Sequence, residues 1–142
     1  MDEPGRGALA DILGLRIRLA HGTVQRHFGE HCAHLGLTQK QVSVLWLTHD
    51  APGTTQTDLA RTLQMDRATT MAIVHALEKR GLLARERLDR DARRIAFRLT
   101  EEGERLLGEA RAAIASHEAW LTGRFTAHEH AMLLRLLEKI HG

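Results

Sequence analysis

The stretch TQTDLARTLQMDRATTMAIVHALEKRGLLARERLDRDARRIAFRL, residues 55–99, decides how this chain folds. Its first half carries two short helical patterns. Thr55 or Thr57 can cap the first helix, which turns Leu59, Ala60 and Leu63 inward. Gln64-Met65 is a tight connection, and Asp66 caps the second helix. That helix runs to about Arg80 with Thr70, Ile73, Val74 and Leu77 on one face, and Gly81 ends it. Two such helices on so short a turn form a helix-turn-helix. The period then drops from near four to two. Leu83–Leu88 and Arg94–Leu99 read as strands, with Ile95, Phe97 and Leu99 alternating against polar or small residues. Between them, Asp89 to Arg93 is a charged hairpin tip, and a hairpin placed directly after a helix-turn-helix is a wing.

Upstream, no proline occurs from Gly5 to Ala51, which permits long helices. Leu9, Ile12, Leu13, Ile17, Ala20, Val24 and Phe28 form one apolar stripe of a helix expected to continue to about residue 34, with Gly36 as its C-cap. Thr38 and Gln41 form a capping box for a second helix with Val42, Leu45 and Trp46 inward. A turn follows at Asp50-Ala51-Pro52-Gly53. Downstream, Thr100 caps a helix whose first turn holds Glu101 and Glu102, where the helix dipole favours anions. It continues to Leu121 and is interrupted near Thr122-Gly123. Thr126 and Glu129 then box a last helix carrying Leu133, Leu134, Leu136, Leu137 and Ile140. The fold class is therefore mainly α with a small β-hairpin wing: a winged helix-turn-helix over about 37–100, flanked by terminal helices over about 8–35 and 101–141, in a single domain spanning 1–142.

Charge is unevenly placed. The whole chain of 142 residues has a net charge of only +2. Between Arg61 and Arg98, however, ten basic residues face five acidic ones, a net +5, while the remainder is −3. A basic helix-turn-helix and hairpin is the electrostatic footprint of a DNA-binding surface. The 4% aromatic content speaks against a fold that stacks bases on aromatic platforms. One cysteine, Cys32, rules out an intramolecular disulfide and fits a reducing cytoplasm. No stretch reaches the length of a membrane span and no signal-peptide core follows the polar start, so the expected location is cytoplasmic, away from membranes. There is no nucleophile elbow, phosphate loop or metal-hydrolase motif, so no enzymatic activity and no cofactor is expected.

At this point the chain resembles the MarR family of winged-helix transcription regulators. The resemblance rests on Leu37-Thr38 with Gln41, Leu45 and Leu47, on Gln56 through Leu59-Ala60, and on Met65-Asp66-Arg67-Ala68-Thr69-Thr70. It continues in Leu77-Glu78-Lys79-Arg80-Gly81-Leu82 with Arg85, in Asp91-Ala92-Arg93, and in Leu99-Thr100-Glu101-Glu102-Gly103. It implies a homodimer whose terminal helices interleave, whose two winged helices address successive major grooves of a pseudo-palindrome, and whose DNA is released by a small molecule. Independently, two separated apolar terminal helices need a partner surface. The family pattern sends the arginine of Asp-x-Arg into the minor groove, here Arg93, with Asp91 structuring the wing. The position between them is usually basic in the family but is Ala92 here, which leaves Arg90 or Arg94 to make that phosphate contact. Gln56 belongs to the same set of implied DNA contacts.

On the second helix of the motif, the inward face leaves Arg67, Ala68, Thr69, Met71, Ala72 and His75 outward. Arg67 and Thr69 suit phosphate or early base contacts. Ala68, Met71 and Ala72 suit thymine methyls, and His75 a base edge or phosphate. For an effector, Arg16, Arg18 and His21 lie on the first helix, and the resemblance places Trp46 where family effectors pack. An anionic aromatic molecule, either an aromatic carboxylate or an aromatic acyl-CoA, fits that set; an inter-subunit ion pair is the competing use of Arg16 and Arg18. His27, His31 and His34 stand at i, i+4 and i+7, so a zinc-sensing alternative exists. Cys32 offers a thiol-oxidation alternative, against its use as a small buried hydrophobe.

Overall fold

The computed structural model describes residues 7–87 and 95–142. They form two compact units: a central one, Cys32–Ala112, and a terminal one made of the chain ends on either side of it.

In the central unit a 3-10 turn, Ala33–Leu35, leads into α2, Gln39–Asp50. Then follow β1 (Thr54–Thr55), α3 (Gln56–Leu63), α4 (Arg67–Lys79), β2 (Leu83–Arg87), β3 (Ile95–Leu99) and the start of α5 (Glu101–Thr122). Side chains three residues apart set the helix starts. Thr38 accepts from the Gln41 N–H and Thr55 from the Asp58 N–H, each completed as a capping box, and Asp66 accepts from the Thr69 N–H. Between α3 and α4 the chain turns on Gln64, which sits in the left-handed region at φ 52°. The sheet is antiparallel in the order β1-β3-β2, with Leu83 opposite Leu99 and Arg87 opposite Ile95. The two-residue β1 was not anticipated; a strand that short has no periodicity to read, and pairing with Phe97 and Ala96 defines it.

The core of this unit is continuous. Val44, Leu45, Leu59, Val74, Leu77, Phe97 and Leu107 are fully buried, joined by Leu82, Leu83, Ala96, Leu106 and Ala110. The two buried threonines are satisfied locally, Thr48 donating to the Val44 carbonyl at 2.7 Å and Thr70 to the Asp66 carbonyl at 2.8 Å. Thr100 ties the hairpin to α5, its hydroxyl donating to the Gly81 carbonyl at 2.6 Å and accepting from the Gly103 N–H at 3.0 Å. That approach is so close that a Cβ on Gly103 would lie 2.2 Å from the Leu82 carbonyl oxygen. The glycine of the Leu-Thr-x-x-Gly run is a packing requirement.

The terminal unit holds a 3-10 turn (Gly7–Asp11), α1 (Leu13–His31), the end of α5 and α6 (Ala127–His141), which Thr126 and Glu129 cap as expected. Here the expected continuous helix to about residue 34 is corrected. The chain leaves helical geometry at Cys32, takes the 3-10 turn with Leu35 N–H bonded to the Cys32 carbonyl, and ends it on left-handed Gly36 at φ 61°. His34 therefore does not share a helix face with His27 and His31. In this unit Phe28 and His117 alone among the described residues are buried. No helix among the described residues is long and apolar enough to cross a membrane.

Candidate functional site

The helix-turn-helix presents the face its sequence pattern requires. Thr70, Val74 and Leu77 of α4 are buried, while Arg67, Ala68, Met71, Ala72 and His75 are exposed. Met71, at 53% exposure, is not a core residue. Thr69 is half-buried, and both of its donors are engaged by the cap: its N–H donates to Asp66 Oδ1 at 2.7 Å and its hydroxyl to Asp66 Oδ2 at 2.9 Å. These bonds from Thr69 hold the Asp66 carboxyl below the usual carboxylate range. A cleft of about 730 Å³ opens beside this face, lined by Gln56, Thr57, Arg61, Arg67, Met71 and Ile95 among others. Arg61 is the addition to the expected contacts; it was legible only as one charge in the basic stretch.

Not every cation counted in that stretch serves the open face. Arg85 makes a bidentate pair with Glu78, both bonds 2.8 Å, which fastens the last turn of α4 to β2. Arg98 pairs with Glu86 across the hairpin at 3.1 Å, and Arg80 donates to the Gly36 carbonyl at 2.7 Å. Arg85 and Arg80 thus hold the scaffold, while Arg61 and Arg67 line the cleft. The expected wing residues Arg90, Asp91, Arg93 and Arg94 lie outside the described residues.

The terminal unit carries a second concavity, of about 650 Å³. Arg16, Arg18, Arg26 and Arg124 line it together with Trp120 and Phe125, and its described lining contains no carboxylate. Arg16 is steadied by donating from Nε to the Ala10 carbonyl at 2.8 Å. Arg124 lies over the Trp120 ring, its Cζ 4.4 Å from the centroid. His27 stacks on the same indole at 3.7 Å and 2° between planes, and its Nδ1 meets Nδ1 of His117 at 2.7 Å. Phe28 stands edge-on to His117. Burial, then His27 and His31, push the His117 imidazole below its usual range, opposed by Glu118.

Residues 35–94 match the MarR family. The transcriptional regulator HosA of Escherichia coli O127:H6 is 33% identical over 104 residues, which cover 73% of this chain and 77% of HosA. The chain belongs to the MarR family. Among solved structures, the transcriptional repressor CouR bound to a 23-mer DNA duplex superposes with a TM-score of 0.92 at 34% identity, covering 99% of this chain and 100% of that one. CouR bound to p-coumaroyl-CoA superposes with a TM-score of 0.88 at 34% identity, covering 98% of each chain. The family and the fold are those of DNA-binding transcription regulators.

Within this MarR-family chain the four expected effector residues fall in both units, Arg16, Arg18 and His21 in the terminal one and Trp46 in the central one. Arg16 and Arg18 line the arginine cavity, but His21, though exposed on α1, is not among its lining residues. Trp46 belongs to the central unit, where Arg111 lies over its ring at 4.7 Å and also reaches Asp50 at 3.5 Å. Within the terminal unit, Trp120 lines the cavity together with Arg16 and Arg18. Its signal in the sequence is a Trp120–Arg124 pair at i, i+4, which brings a guanidinium onto an indole even across a helix end. Among the described residues no three side chains are grouped to hold a metal ion. His31 stacks on His27 at 5.5 Å, and His27 turns its Nδ1 to His117. Cys32 is buried, and burial raises its thiol above the usual range.

Proposed function

We propose that this regulator is a homodimeric repressor that binds a pseudo-palindromic operator and is released from it by an anionic aromatic effector, an aromatic acyl-CoA in the first place. The observation that carries the reading is the arginine cavity of the terminal unit. Four guanidiniums and an indole suit a ligand with several phosphate charges and an aromatic part better than a lone carboxylate. The CouR structures support it, since a relative of the same fold and length is described with DNA and with p-coumaroyl-CoA. DNA would be met by Gln56, Arg61, Arg67, Ala68, Thr69, Met71 and His75, with Arg90, Arg93 and Arg94 from the wing and Asp91 structuring it. This face has few hydrogen-bonding side chains for base edges, so specificity leans on the wing and on DNA shape. The exposed apolar faces of α1 and α6 supply the surface for a second copy. No observation favours the zinc alternative, and a buried thiol with raised pKa is a poor oxidation sensor.

The test is a polarisation titration with a duplex selected by this protein from a random pool. Binding should weaken steeply and log-linearly with salt, and p-coumaroyl-CoA should release the duplex while p-coumarate alone does so less well. A shallow salt slope would sink the DNA reading; a complex indifferent to both compounds would sink the effector class.

A further inference from the structure

The outward stripe of α4 changes character along its length. Ala68, Met71 and Ala72 are exposed side by side, and the next polar side chain on that stripe is His75, with Lys79 a turn further. Met71 is 53% exposed and lines the cleft that Arg61 and Arg67 also line. Cations at the edge of the face suit phosphates, which leaves the apolar trio to meet the base edges between them. A major-groove base edge offers an apolar side chain one partner, the C5 methyl of thymine, which cytosine also gains when methylated at C5. The neighbouring exocyclic group accepts in thymine and donates in cytosine. A strong donor or acceptor would tell the two apart; alanine methyls and a thioether, itself only a weak acceptor, do not. An unmethylated cytosine instead leaves the trio against polar edge atoms stripped of water. Met71 suits the contact in a second way, since its three rotatable bonds let it follow the position of a methyl group.

We propose that Met71, with Ala68 and Ala72 beside it, reads a C5-methylpyrimidine, so that 5-methylcytosine is taken as thymine is. An operator methylated at that position is then bound more tightly than the same operator unmethylated. The inference rests on the DNA reading above and adds a chemical mark to what the operator carries: methylation of cytosine raises occupancy with no change of base sequence.

The experiment is a polarisation titration of the intact protein with a duplex it selects from a random pool, in which thymines are replaced one at a time by uracil. At one position or more in each half-site, uracil should weaken binding about threefold to fourfold, the effect of one buried methyl group. At that position a C·G pair should bind more weakly than a 5-methylcytosine·G pair by the same factor. Met71→Ala should bring both ratios close to one, and Met71→Leu should keep them. That split separates contact from duplex stiffness: methyl loss also alters the deformability of the duplex, an effect that persists in Met71→Ala. Arg67→Ala should weaken all four duplexes by a common factor. Thymine and uracil duplexes bound alike at every position, or ratios that survive Met71→Ala, overturn the proposal. A uracil penalty with no gain from 5-methylcytosine overturns the methylation response and leaves a thymine contact only. Steeply salt-dependent binding without either ratio sinks this inference alone, whereas failure to select any duplex sinks the DNA reading with it.

Discussion

The central and terminal units are built from the same kinds of residue and reach opposite states. In the central unit leucines, valines and Phe97 close on one another and, among the described residues, leave Met71 as the one large hydrophobic residue in the open. In the terminal unit Leu9, Ile12, Leu13, Ile17, Leu19, Phe125, Leu133, Leu134, Leu136, Leu137 and Ile140 are all exposed. Scattered surface leucines need no explanation, but stripes of them along α1 and α6 do. The difference teaches that one unit is finished by its own chain, while the other leaves an apolar surface open, the surface that the proposed dimer would cover. That division suits a regulator: the central unit carries the helix-turn-helix on a closed core, while the terminal unit carries the open apolar surface and the arginine cavity.

The largest expected effect tests the closed unit at its tightest contact. Gly103→Ala should cost about 3 kcal/mol or more and lower the melting temperature sharply, because the added methyl meets the Leu82 backbone and cannot turn aside. Gly108, on the same helix with nothing within 4 Å, is the control; alanine there should be neutral or stabilise by roughly 0.5–1 kcal/mol. Equal effects would mean that the hairpin and α5 do not meet as described.

Next comes the open unit. Leu134→Asp and Leu13→Asp, at sites 57% and 68% exposed, should shift the sedimentation of the protein towards monomer. The helix-turn-helix should stay folded, since neither side chain belongs to its core. A buried counterpart, Leu45→Ala, should instead cost about 2–5 kcal/mol through cavity formation. A Leu134→Asp protein that sediments like the parent would remove the interface from the account.

Among the cations, Arg67→Ala should reduce the log-log salt slope of DNA binding by about one and leave self-association intact. Arg85→Ala should act differently, because it leaves Glu78 without its bidentate partner and frees the hairpin from α4; part of its loss should return in a charge-reversed Glu78→Arg, Arg85→Glu pair. Indistinguishable salt profiles would merge two roles that the geometry separates.

The smallest effect is a pH dependence confined to the terminal unit. His117 has a lowered folded-state pKa, so the unfolded chain binds its proton more readily. The neutral imidazole's contribution is therefore present above the ordinary histidine range, near pH 6.5, and is lost as pH falls through the lowered folded value. Acid titration of the melting temperature should show this loss, and His117→Phe should flatten it. A parent profile level down to the carboxylate range would contradict the placement of His117.

The sequence was most informative where a structural signal is local. Thr38, Thr55, Asp66, Thr100 and Thr126 mark helix starts through bonds to residues three positions on, and each is found doing so. The inward face of α4 and the alternation of β3 are likewise short-range periodicities. Sequence reasoning went astray where two local signals competed: the apolar stripe of the first helix argued for continuation past residue 31, while Gly36 permitted a 3-10 exit that places Leu35 in the core. The charge count between Arg61 and Arg98 also included Arg85 and Arg98, since composition does not reveal which arginine has an acid within reach.

By itself, then, the amino-acid order determined most of the helices, the helix-turn-helix with its hairpin, the charge segregation and the apolar stripes at the chain ends, because each of these follows from spacings of a few residues. Only the tertiary structure decided that Trp120 stands beside Arg16 and Arg18, that His27 pairs with a histidine 90 positions away, and that Arg85 is held by Glu78. Such contacts depend on where the chain returns to itself, and side-chain neighbours brought together across long separations leave no periodic trace in the sequence.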